Sequence, residues 1–151
     1  MGWSGGVVKA HRRSTWSTTI DPVSRLYHVA GDSLSANTAQ THGMTRVAAI
    51  SGELTGSQQL WMGRTTVAAR AASGPHHHGQ SETAIYVVSG SPEFIYQQDG
   101  AEVRLRTKPG DYVFVPPFVP HIESNAHSDE EAVVVIARTT QEAIVENLQG
   151  L

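Results

Sequence analysis

From Thr45 to Arg138 the chain is a succession of short runs rich in β-branched and aromatic residues, each cut off by Gly, Pro, Asn or Asp. The runs are "TRVAAIS", "QLWMGRTTVAA", "TAIYVVSG", "PEFIYQQ", "EVRLRT", "DYVFVPP" and "AVVVIAR". The segment "QQDGAEVRLRTKPGD" shows the constraint they impose. Asp99-Gly100 supplies the positive-φ positions of a tight hairpin turn. Val103 and Leu105 then share one face while Arg104 and Arg106 take the other, and Pro109-Gly110-Asp111 makes the next turn. Strands of this length with turns at this spacing confine the chain to an all-β sandwich or barrel.

The flanks read differently. Residues 1–44 are rich in Ser, Thr, Gly and Ala, and "STTIDPVSRLYHVAGDSL" predicts irregular chain with at most one short strand. This arm has too little patterned hydrophobicity to fold alone and is expected either to pack on a partner subunit or to form a loosely docked leader. At the other end, Thr139 stands three residues before Glu142, a capping-box spacing. Ile144, Val145 and Leu148 share one helical face and Gly150 is a stop signal. The expected organisation is one domain: an arm (1–44), a β-barrel (45–138) and a short C-terminal helix (139–151).

Composition narrows the function. The net charge is −3 and no basic run exists, which argues against nucleic-acid binding. The chain has no cysteine, so disulfides, thiolate metal sites and a Cys nucleophile are excluded. No apolar run approaches the roughly 18 residues of a membrane span. The N-terminal "MGWSGGVVKAHRRSTW" has no apolar stretch after its basic residues, so a secretory signal is not expected and the cytoplasm is the default compartment.

The chemistry concentrates in "SGPHHHGQSE". On an extended strand His76 and His78 point to one face and His77 to the other. Glu82 follows four residues after His78. Two imidazoles and a carboxylate suit a divalent transition metal, although Gly and Pro flank the run and a solvated loop is the alternative. In "GDYVFVPPFVPHIESN", a Gly turn, an apolar strand and a Pro-rich bend lead to a lone imidazole, His121, which is a further ligand or a packed core residue. His28, His42 and His127 lie outside these stretches and read as loop histidines.

Together the two stretches resemble the motifs of the cupin family. His76 and His78 with Glu82 match the first motif's HXH and acid. Gly110, Pro116, His121 and Asn125 match the second at its spacings. Two departures stand out. Phe118 occupies a Gly position of the second motif, and Gly90 lies one residue beyond its place in the first, which makes Glu82 the least secure member of the set. The resemblance implies a cupin jelly-roll barrel (a double-stranded β-helix). Inside it, His76, His78, Glu82 and His121 would hold one divalent metal per chain: Zn, Mn, Fe, Ni, Co or Cu. His77 and Asn125 would support that set from behind, or serve as alternative ligands.

If Glu82 faces inward, alternation sends Ala84, Tyr86 and Val88 inward with it, which makes Tyr86 a candidate catalytic group. Trp61, Phe114 and Phe118 are expected to line an apolar pocket with few charges. Such a pocket suits a small enolisable or phenolic compound. Three function classes follow: a metal-dependent oxygenase or oxidase, a non-redox cyclase or isomerase such as a zinc polyketide cyclase, and a non-catalytic binding module. Single-domain members of the family commonly pair through sheet edges, so a homodimer is expected.

Overall fold

The computed structural model describes residues 25–141 and 144–151. Its elements are β1 (Met44–Ile50), α1 (Gly52–Thr55), β2 (Trp61–Val67), β3 (His76–His77), β4 (Thr83–Ser89), β5 (Glu93–Gln98), β6 (Ala101–Arg106), β7 (Tyr112–Val115), β8 (His121–Ser124), β9 (Ala132–Arg138) and β10 (Glu146–Asn147). They form two antiparallel five-stranded sheets, β1-β2-β9-β4-β7 and β10-β3-β8-β5-β6. The chain is all-β in a jelly-roll arrangement, as its alternating runs require. Each of the seven sequence runs contains a strand. The β5–β6 hairpin turns at Asp99 (φ 53°) and Gly100 (φ 77°).

The core lies between the sheets. Ala48, Trp61, Ile85, Val87, Phe94, Val115, Val134 and Ile136 form one buried cluster. The strict alternation of β2 and β9 puts Trp61, Thr65 and Val67, and Ala132, Val134, Ile136 and Arg138, on the inner face. Gly63 is inner as well, and its missing side chain leaves room for the Trp61 indole: a Cβ there would sit 2.5 Å from that ring.

Three features position the histidine-bearing strands. Asn125, fully buried just after β8, donates from Nδ2 to the carbonyls of Ala68 (3.2 Å), Val67 (3.4 Å) and Glu130 (2.8 Å). It ties the end of β2 to the β8–β9 turn rather than standing behind a ligand. Phe118 takes the positive φ (60°) that its motif's Gly position calls for. Its N–H donates to Gly79 O (2.8 Å), which fixes the β7–β8 bend against the histidine run.

The C-terminal segment departs from expectation. The helix expected over 139–151 does not form among the described residues, and β10 pairs with β3 instead, Glu146 opposite His77 and Asn147 opposite His76. Tertiary contacts outcompete the local helix signals. Thr139 does not cap a helix: its N–H donates to Glu82 O (3.2 Å) and its Oγ1 accepts from Glu82 N (3.1 Å), extending the β9–β4 ladder. Leu148 N–H donates to Pro75 O (2.9 Å), so the tail covers the otherwise open edge of β3. The expected cap partner, Glu142, lies outside the described residues.

Part of the N-terminal arm is described. Residues 25–43 hold no strand, but Ser35 bridges to Ala48 and Thr41 to Met44, and Gln40 exchanges hydrogen bonds with the backbone of Arg46 (2.8 and 2.9 Å). This portion runs along β1 of its own chain. The expectation of a strand within 17–34 falls partly outside the described residues.

Asn125→Ala strips a buried donor from three carbonyls. It should lower the unfolding free energy by about 3 kcal/mol, read from urea denaturation.

Candidate metal centre

The register of the second sheet builds the site. His76 on β3 lies directly opposite His121 on β8. His78, two residues beyond His76, shares its face, and Glu123, two residues beyond His121, shares that one. His76, His78, His121 and Glu123 are all buried, and one donor atom from each lies within 4.8 Å of every other. The imidazole centroids are 4.5 Å (His76–His121), 4.7 Å (His78–His121) and 5.2 Å (His76–His78) apart.

Hydrogen bonds from behind set the tautomers. Gly74 O, 3.0 Å from His76 Nδ1, and Val119 O, 3.0 Å from His121 Nδ1, can only accept, so both Nδ1 atoms carry the proton. His78 Nδ1 lies 2.9 Å from Thr83 Oγ1, while its Nε2 faces Arg138 Nη2 at 3.4 Å. A guanidinium can only donate, so Nε2 is the acceptor and Nδ1–H points to Thr83. Every Nε2 lone pair is thus directed away from the supporting backbone and hydroxyl.

The electrostatics keep these groups in ligand form. Burial, helped by Arg138, lowers the His78 pKa to about 2, and burial lowers that of His76. Both imidazoles are neutral at physiological pH. Burial alone would raise the Glu123 pKa, but His121 and the neighbouring histidines more than offset it, and the carboxyl lies below the ordinary carboxylate range. His121 Nε2 and Glu123 Oε1 are 3.9 Å apart, too far for a hydrogen bond, and both are buried without a hydrogen-bond partner. Donor atoms of three imidazoles and one carboxylate lie together here, two of them without a partner, and this set fits a divalent transition metal.

Several expected site residues sit elsewhere. His76, His78 and His121 come together; Glu82 does not join them. Its side chain is exposed, because the chain turns after His78 through Gly79 (φ 54°) and the inward position passes to Thr83. The carboxylate of the cluster is Glu123. That residue could have been found by applying to "HIE" the same two-residue alternation that pairs His76 with His78. The shift of parity also moves Tyr86. Thr83, Ile85 and Val87 face the core, while Ala84, Tyr86 and Val88 face out, and Tyr86 packs on Tyr112 with ring centroids 4.9 Å apart. Tyr86 therefore lies away from the cluster and has no catalytic placement.

His77 turns away as alternation predicts. Its Nδ1 accepts from Gly79 N–H (3.1 Å) and its ring meets Phe118 edge-on. Trp61 is buried in the core, and Phe118 is exposed beside His77 rather than in a pocket. His28, His42 and His127 are exposed and outside the cluster.

An apolar cavity of about 260 Å³ abuts the centre. Phe94, Tyr96, Leu105, Val113, Phe114, Val115 and Val119 line it, Phe114 as expected, with His121 as the wall it shares with the cluster. Phe94 and Tyr96 lie opposite Glu123 and His121 on the adjacent strand. The barrel interior also holds two cations that the sequence reading missed, Arg46 and Arg138, exposed by only 2% and 1%. The expectation of almost no inward charge beyond the ligands is therefore corrected. Each Arg occupies an inner position of its strand, a parity readable only once the strand bounds are known.

The fold and the cluster together define a class, and residues 63–137 match the model of the cupin domain family. The chain contains a cupin domain. Its structure is similar to oxalate decarboxylase from Bacillus subtilis, with a TM-score of 0.62 and 22% identity over 72% of this chain and 28% of that one. It is also similar to the polyketide cyclase RemF from Streptomyces resistomycificus, with a TM-score of 0.66 and 19% identity over 82% of this chain and 86% of that one. The chain thus spans little more than a quarter of the decarboxylase's length, and at these identities the likeness speaks for the fold alone. No curated protein matches the sequence.

Two predictions follow from the geometry. Glu123→Gln should weaken metal binding by about tenfold or more, while Glu82→Gln and His77→Ala leave it nearly unchanged, as measured by calorimetric titration with Zn(II) or Co(II). The second concerns pH. The folded His78 pKa of about 2 lies below its ordinary 6.5, so between these values the unfolded chain binds a proton that the folded one does not. Stability of the metal-free protein should be full above pH 6.5 and fall as pH drops below it, with depression of the Glu123 pKa adding loss in the same direction at lower pH. Urea midpoints across pH 4–8 check this.

Proposed function

We propose that the protein is a metal-dependent enzyme acting on a small, largely apolar, enolisable or phenolic compound. The observation that carries this reading is the junction at His121, one residue that is both a member of the donor cluster and a wall of the apolar cavity. A bound divalent metal, held by His76, His78, His121 and Glu123, would supply Lewis acidity or, if redox-active, a site for O₂ chemistry.

The chain's own residues do the rest. Gly74 O, Val119 O and Thr83 Oγ1 hold the three rings in one orientation. Phe94, Leu105, Val113 and Val119 seat the apolar body of the compound and exclude water from it. The low dielectric there strengthens the attraction of nearby cations for an ionised substrate oxygen. With Tyr86 on the outer face, none of the side chains facing the cavity is an evident general base beyond the cluster itself. The chemistry proposed is therefore that of a stabilised enolate or phenolate. It serves oxidation by O₂ and a non-oxidative ring closure of the polyketide-cyclase kind alike.

A homodimer is the proposed assembly. Val88, Tyr112 and Phe114 stand on the outer face of the first sheet, exposed by 46%, 78% and 60%, beside Tyr86. Val133, Val135 and Ala137 of β9 continue that face opposite Ala132, Val134 and Ile136, so up to Arg138 at its end β9 carries apolar residues on both sides, the pattern of a strand covered on both. Light scattering at micromolar concentration should give twice the chain mass, and Phe114→Glu should shift it toward the monomer.

Turnover with and without oxygen tests the chemistry. Conversion of a phenolic or polyketide substrate that persists anaerobically with Zn(II) bound selects the cyclase or isomerase route. A strict requirement for O₂ and a redox-active metal selects the oxygenase route. If a broad panel of such compounds neither binds nor reacts, the enzyme reading fails and a binding module for other ligands replaces it.

A further inference from the structure

The buried charges inside the barrel do not balance. Arg138 reaches from β9 to the cluster, its Nη2 3.4 Å from His78 Nε2 and its Nη1 3.2 Å from Ile144 O, while its Nε has no partner. Arg46 donates from Nη1 to Ala39 O at 2.7 Å, and its Nε is also unpartnered. Thr65, opposite Arg46 on the neighbouring strand, buries an unpartnered Oγ1. Arg46 interacts electrostatically with both Glu123 and Arg138. Two buried guanidinium groups thus stand in the field of one buried carboxylate, with His76 and His78 held neutral by burial. Buried cations are normally paired with anions, and a divalent ion in the cluster would widen the excess.

Resting on the metal-centre reading above, we propose that the site is built to take its ligand as an anion. A carboxylate or ionised hydroxyl oxygen would lie at the cluster beside Arg138 Nη2, with Arg46 contributing charge from further off. The ligand class is a small organic acid, enol or phenol bound in its ionised form, its apolar body in the cavity beyond His121. Arg138 is then a ligand-binding residue, in addition to resting its guanidinium 5.8 Å from the Trp61 ring. Its cation attracts an anion and does not help hold a metal, so its removal should weaken anion binding without weakening metal binding. A residue that only props up the tail or the indole would move them together.

The experiment uses the full chain loaded with Co(II), titrated by calorimetry with sodium acetate and, separately, with neutral acetamide at constant ionic strength. Acetate should bind and acetamide should not. Arg138→Gln should weaken acetate binding by about tenfold or more while Co(II) affinity stays equal or rises. Arg46→Gln should weaken acetate less. If Arg138→Gln does not fold, Arg138→Lys replaces it: the charge stays, the fork is lost, and acetate should weaken with Co(II) affinity unchanged. Equal binding of acetate and acetamide, or parallel loss of acetate and Co(II) affinity in the Arg138 variants, overturns the inference. Co(II) binding without acetate binding overturns this inference alone. Failure of the wild-type chain to bind Co(II), Zn(II) or Mn(II) removes the metal-centre reading, and this inference with it.

Discussion

The pairing of His76 with His121 across β3 and β8 is the contact on which the site depends. A slip of one residue in β3 would turn His77 inward and carry His76 and His78 to the outer face. The fold guards this register from both sides. β10 closes the outer edge of β3, while β5 holds β8 with Tyr96 opposite His121 and Phe94 opposite Glu123. Asn125 pins the end of β8 to the end of β2 through the carbonyls of Val67 and Ala68. The elements that look peripheral, a two-residue strand and one amide, therefore act directly on donor geometry.

A polar cluster in an apolar barrel is costly unless its groups are oriented and satisfied. Here the satisfaction is one-sided. Backbone carbonyls and Thr83 occupy the Nδ1 atoms, while His121 Nε2 and Glu123 Oε1 are left without partners. Such a centre is prepared for a cation, and the two arginines beyond it add the opposite demand, for an anion. The two demands meet where Arg138 approaches His78. The adjoining cavity has aromatic and aliphatic walls, so charge is handled at one end of the site and apolar surface at the other.

The donor cluster was partly legible because two-residue periodicity is a property of the chain alone. It placed His76 and His78 together and sent His77 away. The same periodicity in "HIE" pairs Glu123 with His121, whereas the motif spacing points to Glu82. The turn at Gly79 hands the inward parity of β4 to Thr83, which leaves both Glu82 and Tyr86 on the outer face. The Gly position filled by Phe118 carried a real conformational demand, and Phe118 meets it with φ 60°.

By itself the sequence determined the all-β class, the strand runs, the Asp99-Gly100 hairpin and the shared face of His76 and His78, while His121 entered only through the resemblance to the cupin motifs. These follow from alternation and turn chemistry within a few residues of each other. Only the tertiary structure decided which carboxylate completes the cluster, that Arg46 and Arg138 share the barrel interior, and that the last residues form a strand rather than a helix. In the tail, a local capping signal at Thr139 competed with a ladder to Glu82 and an open edge on β3, and the long-range hydrogen bonds won. Side chains far apart in the chain become neighbours through register, and register is set by the packing of whole sheets, which no local pattern records.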